Sequence, residues 1–252
     1  MSPQGERPGL IASWLGIVEY PAAWSWQRQL FAARRADEID DALMLLEHPP
    51  TYTKGRRTAP GDLVYSDDEC RRRGIAVYDV DRGGRSTYHG PGQLVGYPIM
   101  ALGGRYDVLS YLRGLEDALI RAVAELGVDA RRDPDHTGVW VGANKLAAIG
   151  VKITRGITMH GFALNVTTDL SMFGGIVPCG IAGRWVTSVQ AETGAAHPLD
   201  TVATLCAGHL ADGFDRSLRW TQPGLLRPRG TGEELRDLVD VEVETVPSRQ
   251  RN

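Results

Sequence analysis

Lysine and cysteine are both scarce in this sequence. Among 28 basic residues only Lys54, Lys145 and Lys152 are lysines, and Cys70, Cys179 and Cys206 are the only cysteines. An odd cysteine count with no C-x-x-C pair supports neither a disulfide framework nor a cysteine zinc site, so no metal is expected and a reducing compartment fits. No run is long and apolar enough to span a bilayer. Residues 1–9 lack the charged-then-apolar order of a secretory leader, which makes the cytoplasm the expected location. The net charge of -3 gives no electrostatic reason to expect nucleic acid or an anionic membrane as partner. There is no G-x-x-x-x-G-K-[ST], and no G-x-G-x-x-G follows a strand, so phosphate-loop nucleotide enzymes and Rossmann dehydrogenases are not supported. No internal repeat is present.

The chain has 252 residues, 42% hydrophobic and 23% charged, which suits an ordinary globular core. Residues 10–18 read as a strand. Residues 19–36 read as a helix with Pro21 in its first turn, and residues 41–47 as a buried strand stopped by His48-Pro49-Pro50. Residues 51–74 look like a long loop with one helical turn near 66–73, where Ser66 and Glu69 form a capping box. Residues 75–80, 86–89 and 93–100 read as strands, and Pro98 suggests that the last ends at a sheet edge or bulge. Residues 106–127 form the clearest helix, with an apolar stripe of Val108, Leu109, Leu112, Leu115, Leu119, Ile120, Val123 and Leu126. Residues 137–141, 145–154 and 157–166 follow as strands joined by short turns, an antiparallel meander. Residues 169–173 suggest a helical turn, 185–189 a last short strand and 198–214 a final helix. The expected class is α+β, helices packed on one main sheet with no linker to divide it.

The unusual stretch is Gly174-Gly175-Ile176-Val177-Pro178-Cys179-Gly180-Ile181. Pro fixes a backbone angle just before the cysteine, and the glycines allow a turn and close approach by another molecule. Such a bend suits a nucleophile that accepts a bulky group. The thiolate is the reactive form, so Cys179 needs a base or a cation nearby. His89 and His160 adjoin glycines in or beside strands, although packing is the default role of any single histidine. Lys145 opens an apolar strand after a turn. Pointing inward it can exchange a proton with a thiol and a leaving group; pointing outward it is a solvated turn lysine. The run from Arg82 to Gly92 holds too many glycines for a plain strand, which suggests close approach of a ligand or another backbone, or else a flexible loop. The basic run Lys54-Gly55-Arg56-Arg57 reads as a surface loop or as a grip for an acidic partner.

Four segments in order resemble the lipoyl(octanoyl) transferase family: LLEHPPTYTKGRR at residues 45–57, DRGGRSTYHGPGQLVGYPI at 81–99, KLAAIGVKI with HGFALNV between 145 and 166, and GIVPCGI at 175–181. The resemblance covers roughly residues 10–214 and implies a catalytic domain at 10–215; residues 1–9 and 221–252 fall outside it, and the Pro-, Gly-, Arg- and Glu-rich composition after Trp220 leads to the expectation of flexible termini. It implies a single α+β domain with a mixed, mostly antiparallel sheet flanked by helices, like the biotin and lipoate protein ligases. It implies an acyltransferase that moves octanoyl from octanoyl-acyl carrier protein to a lysine of lipoyl domains, through a thioester on the enzyme and without a cofactor or ATP. Those acceptors are the lipoyl domains of 2-oxoacid dehydrogenase complexes and the glycine cleavage H protein. Cys179 matches the acyl-accepting cysteine and Lys145 its partner. Arg82, Gly83, Gly84 and Arg85, with Ser86, Thr87, Tyr88 and His89, match the acyl-pocket segment. Ala148, Ile149 and Gly150, with Gly161, Phe162 and Ala163, match two further substrate-contacting stretches. Both carriers of this family are typically acidic, which gives Lys54, Arg56, Arg57 and Arg82 a docking role. An ATP-dependent ligase of the same fold and a non-catalytic carrier-binding module are the competing readings.

Overall fold

A computed structural model describes residues 7–104, 107–177 and 185–222. Cys179 and the bend around it therefore lie outside the described residues, as does the chain from residue 223. In chain order the elements are β1 (Gly9–Ile17), α1 (Tyr20–Arg35), β2 (Asp41–Glu47), β3 (Thr51–Lys54), α2 (Asp67–Arg72), β4 (Ala76–Asp79), β5 (Thr87–His89), β6 (Gln93–Ile99) and α3 (Val108–Ala124). They continue with β7 (Arg131–Arg132), β8 (Val139–Val141), β9 (Asn144–Thr154), β10 (Ile157–Asn165), a 3-10 turn (Leu170–Gly175), α4 (Val189–Thr193), α5 (Leu199–Gly213) and β11 (Ser217–Trp220).

Among the described residues, eight strands form one sheet in the order β11-β1-β2-β6-β10-β9-β8-β7. β1 pairs parallel with β2 and β11, and every other neighbour in the sheet is antiparallel. The centre is covered on both faces, which explains the nearly unbroken apolar run of β2. Leu43 and Leu45 face α3 and α5, whereas Ala42, Met44 and Leu46 face α1, the period of two that a strand imposes. A small sheet in the order β4-β3-β5 carries α2 and the 3-10 turn on a satellite core of Tyr52, Cys70, Ile75, Tyr88, Phe173 and Ile176.

Several local expectations hold for their stated reasons. Ser66 Oγ accepts from Glu69 N at the start of α2, and Asp107 caps α3 through Ser110 N. Gly127 takes φ +86 just past that helix, and Arg155-Gly156 turn β9 into β10 at φ +51 and +75.

Others are corrected. The loop expected from residue 51 begins as β3, which pairs on both sides. Cys70, within the expected helical turn near 66–73, is the buried residue of α2. Val108 and Leu109 are exposed, and the inward face of α3 runs instead through Tyr111, Leu115, Ala118, Leu119, Ala122 and Val123. Residues 185–189 make one parallel bridge, Val186 to Lys145, before Ser188 caps α4 and ends any strand. Pro98 is central, opposite Leu43 of β2. It is tolerated because the β6–β10 ladder stops at Gly96. Beyond that point His160 takes φ +57, and its amide donates to Gln27 of α1 at 2.8 Å.

Candidate active site

A cavity of about 550 Å³ opens between β9, β10, β5 and the loop before β5. Its wall takes Arg82, Gly84, Arg85, Ser86, Thr87 and His89 from the glycine-rich segment, Lys145, Ala148, Ile149 and Gly150 from β9, and Gly161, Phe162 and Ala163 from β10. Twelve of the fourteen candidate residues other than Cys179 and Lys145 thus come from three separate stretches onto one surface with Lys145; Gly83 and Tyr88 do not. Gly83 N donates to Val151 O at 2.9 Å, and the Tyr88 ring turns into the satellite core against Tyr52 and Phe173.

The glycines are explained by backbone meeting backbone. A Cβ on Gly150 would stand 2.9 Å from Gly83 O, and one on Gly55 would stand 2.5 Å from Gly84 O. The loop is therefore seated directly on β9 and against β3. Arg82 holds it there. Only 7% exposed, its guanidinium donates to the carbonyls of Gly83, Arg85 and Thr53 and to Thr53 Oγ1, at 2.8–3.0 Å. A cation buried among carbonyl dipoles cannot present itself to an acidic partner, so Arg82 leaves the docking surface proposed for it. Lys54 lies beside Asp79 at 2.9 Å, and Arg57 lies at the cavity wall.

Lys145 is half-buried rather than a solvated turn residue. Its Nζ lies 4.7 Å from the centroid of the Trp140 ring, a cation–π distance. Gly138 makes room for it: a Cβ there would approach Lys145 Cε at 3.4 Å and Ala147 O at 2.7 Å. The main chain of Lys145 is clamped by Trp185 O, accepting at 2.9 Å, and by Thr187 N, donating at 3.0 Å. Ile176 and Val186, which stand on either side of residues 178–184, both line the cavity.

The two candidate histidines have different surroundings. His89 Nδ1 lies 2.9 Å from Gln93 Oε1 and its Nε2 3.3 Å from Thr53 Oγ1. His160 Nε2 lies 2.7 Å from Asp81, whose other oxygen takes Lys152 Nζ at 2.7 Å. Burial pushes the pKa of both rings down, while hydrogen bonds and charge from His160 and Lys152 outweigh burial at Asp81 and hold its carboxyl low. His89, pushed well down by burial, is thus neutral in the fold. Reading from the sequence passed over Tyr20, Gln93, Tyr97, Asn165 and Asp62. The first four line the cavity. Asp62, 2% exposed, accepts from Arg85 Nε at 2.8 Å and from Ala59 N, while its carbonyl takes Val177 N at 2.8 Å. Gln93 and Asn165 stand inside the HGPGQ and HGFALNV motifs, which marked them; Asp62 had no signal beyond a turn-like Pro-Gly-Asp.

Comparison with known proteins agrees with this architecture. The model of the lipoyl protein ligase A/B catalytic domain matches residues 19–211. An octanoyltransferase of Rubrobacter xylanophilus is 52% identical over 186 residues, 73% of this chain and 84% of that protein. One from Roseiflexus sp. is 47% identical over 206 residues, 80% of this chain and 85% of that one. Among solved structures, lipoate-protein ligase A bound with ATP superposes with a TM-score of 0.69 at 17% identity, covering 87% of this chain and 92% of that one. The biotin protein ligase of Leishmania major in complex with biotin gives 0.51 at 15% identity, over 80% and 73%; both likenesses concern the fold alone. On the family match and on identities near one half across most of its length, the chain belongs to the lipoyl protein ligase A/B catalytic domain family, within its octanoyltransferases.

Proposed function

We propose that this protein transfers octanoyl from the thioester of octanoyl-acyl carrier protein to the ε-amine of a lysine on a lipoyl domain, working in the cytoplasm through a Cys179 thioester with Lys145 as proton carrier. The observation that carries the proposal is the convergence of Lys145 with the three acyl-pocket stretches on one cavity, at whose wall Ile176 and Val186 also stand. Cys179 is three residues from Ile176, a tether of at most about 11 Å.

The chemistry divides one transfer into two. Lys145 Nζ, as the neutral amine, takes the thiol proton, and the Cys179 sulfur attacks the octanoyl carbonyl carbon. The carrier's C–S bond breaks, its thiolate receives the proton from Lys145, and octanoyl remains on Cys179. The neutral amine of the acceptor lysine then attacks that carbonyl. The new C–N bond forms as the Cys179 C–S bond breaks, and the amine proton passes through Lys145 to the departing sulfur. Thioester to thioester is nearly balanced and thioester to amide runs downhill, so neither step calls for ATP. The small side chains of Ala148 and Ala163, paired across β9 and β10 at the cavity wall, leave room for a straight alkyl chain. Arg57, at the cavity wall, and its chain neighbour Arg56 remain the candidates for meeting an acidic carrier.

Intact-protein mass spectrometry after mixing with octanoyl-acyl carrier protein tests this. A hydroxylamine-sensitive octanoyl adduct is expected on the wild type and none on Cys179→Ala. Lys145→Ala should slow both acylation and transfer. An adduct that survives Cys179→Ala, or efficient labelling of a lipoyl domain from free octanoate and ATP, would refute the reading in favour of ligase chemistry.

A further inference from the structure

Five side chains form an unbroken chain of hydrogen bonds from the acyl-pocket loop to the Thr187 carbonyl beside Lys145, and its directions follow from the groups at its ends. Arg82 can only donate, so Thr53 Oγ1 accepts from its Nη2 at 2.8 Å. Thr53 Oγ1 also lies 3.3 Å from His89 Nε2. Gln93 Oε1 can only accept, so the ring donates to it from Nδ1 at 2.9 Å, and in the neutral ring this leaves Nε2 to accept from the Thr53 hydroxyl. Gln93 presents its Nε2 hydrogens to Tyr88 O at 3.1 Å and to Asn165 Oδ1 at 2.9 Å. Asn165 Nδ2 in turn donates to Thr187 O at 2.9 Å. The chain reads consistently from the other end too, because the carbonyls of Thr187 and Tyr88 can only accept.

Thr187 is where the relay reaches the lysine. Its carbonyl is taken by Asn165, and its N–H donates to Lys145 O at 3.0 Å. Gln93 and Asn165 are 1% and 3% exposed and both line the cavity. A buried polar side chain is retained at a cost unless its partners are all in place, and here every polar atom of the two amides that the relay uses has one.

We propose that Gln93 and Asn165 are positioning residues for Lys145, fixing the strand end that carries it relative to the acyl-pocket loop, and that His89 is a link in that relay rather than an acid or base. The inference rests on the assignment of Lys145 to proton transfer. Neither amide touches the reacting atoms; each acts through the backbone of Thr187, whose carbonyl and N–H face Asn165 and Lys145. The relay also joins the loop that receives the acyl chain to the backbone of the group that moves its proton.

Asn165→Asp is the discriminating variant. It keeps the acceptor for Gln93 and sets an oxygen against the Thr187 carbonyl. Single-turnover acylation by octanoyl-acyl carrier protein should fall about 10- to 100-fold in rate, the scale of an ångström-level misplacement, with KM for the carrier within about twofold. Gln93→Leu should act in the same way. The double variant should be no slower than the worse single, since both break one relay. Val202→Ala, in the core under α5, should lower the melting temperature without changing the rate. In the intact wild type, imidazole ¹⁵N spectra should show His89 as the neutral Nδ1–H tautomer at neutral pH. An Nε2–H or charged His89, a rate within twofold of wild type for Asn165→Asp, or multiplying effects in the double variant would overturn the proposal. Should the wild type form no adduct at all, the functional reading fails, while the relay is still decided by the His89 spectrum.

Discussion

The fold should lose stability steeply between pH 6.5 and pH 4, before its buried carboxylates matter. His48 sets the size of the effect. It is fully buried, its Nδ1 lies 2.6 Å from Val18 O and its Nε2 2.8 Å from Tyr97 Oη. The carbonyl can only accept, so the hydrogen is on Nδ1 and Nε2 accepts from the tyrosine. Protonating Nε2 would require the Tyr97 hydroxyl to turn from donor to acceptor, and burial, outweighing the Val18 bond, lowers the pKa from 6.5 to about 4. The unfolded chain therefore binds this proton below pH 6.5, while the native state does not until about pH 4. Stability is complete above 6.5 and declines as pH falls toward 4. At 1.36 kcal/mol per unit the full loss is about 3 kcal/mol, of which about 2 kcal/mol is reached by pH 5. His89 and His160 are shifted in the same direction and steepen the slope. Asp62 and Asp81, both lowered from 3.8, act only further down, where their protonation in the unfolded chain begins. Urea unfolding at pH 7.5, 6 and 5 measures the slope. His48→Gln should start less stable at pH 7.5 and lose about 2 kcal/mol less on going to pH 5. A wild type whose stability is flat from pH 7.5 to 5, or a variant with an unchanged slope, would refute the tautomer and the neutral state together.

Two further outcomes follow from packing. Gly161→Ala should cost at least about 3 kcal/mol, the upper range for overpacking, because its Cβ would stand 2.1 Å from the Gly96 carbonyl oxygen; a soluble variant with wild-type melting temperature would contradict the close strand approach. Thiol alkylation of the native protein should modify Cys179 first. Cys206 is fully buried with its thiol pushed up to about 12, and Cys70 is 2% exposed; labelling either as fast as Cys179 would count against the proposed nucleophile.

How far the site was legible in the sequence depended on the range of the interaction concerned. Helix ends were legible because Ser66 and Asp107 act on amides three residues away. The meander was legible because Arg155-Gly156 turns the chain locally. The three pocket stretches could be named through family likeness, but their glycines were ambiguous. Nothing local distinguishes a glycine that admits a ligand from Gly150, which admits the Gly83 carbonyl of a loop far away in the chain. Pro98 failed for the same reason. A proline in a strand predicts an edge only if the neighbouring strand needs its N–H, and here the β6–β10 ladder stops at Gly96 and the His160 amide turns to Gln27. Arg82 shows the limit most clearly. A charged residue in a glycine-rich stretch looks exposed, and only the tertiary fold supplies the four acceptors that bury it. Asp62 and Asn165 act on backbone groups 115 and 22 residues away in Val177 and Thr187. Lys145 could be singled out from sequence by its rarity and its place at a strand start, but what holds it lies in partners that only the folded chain brings together.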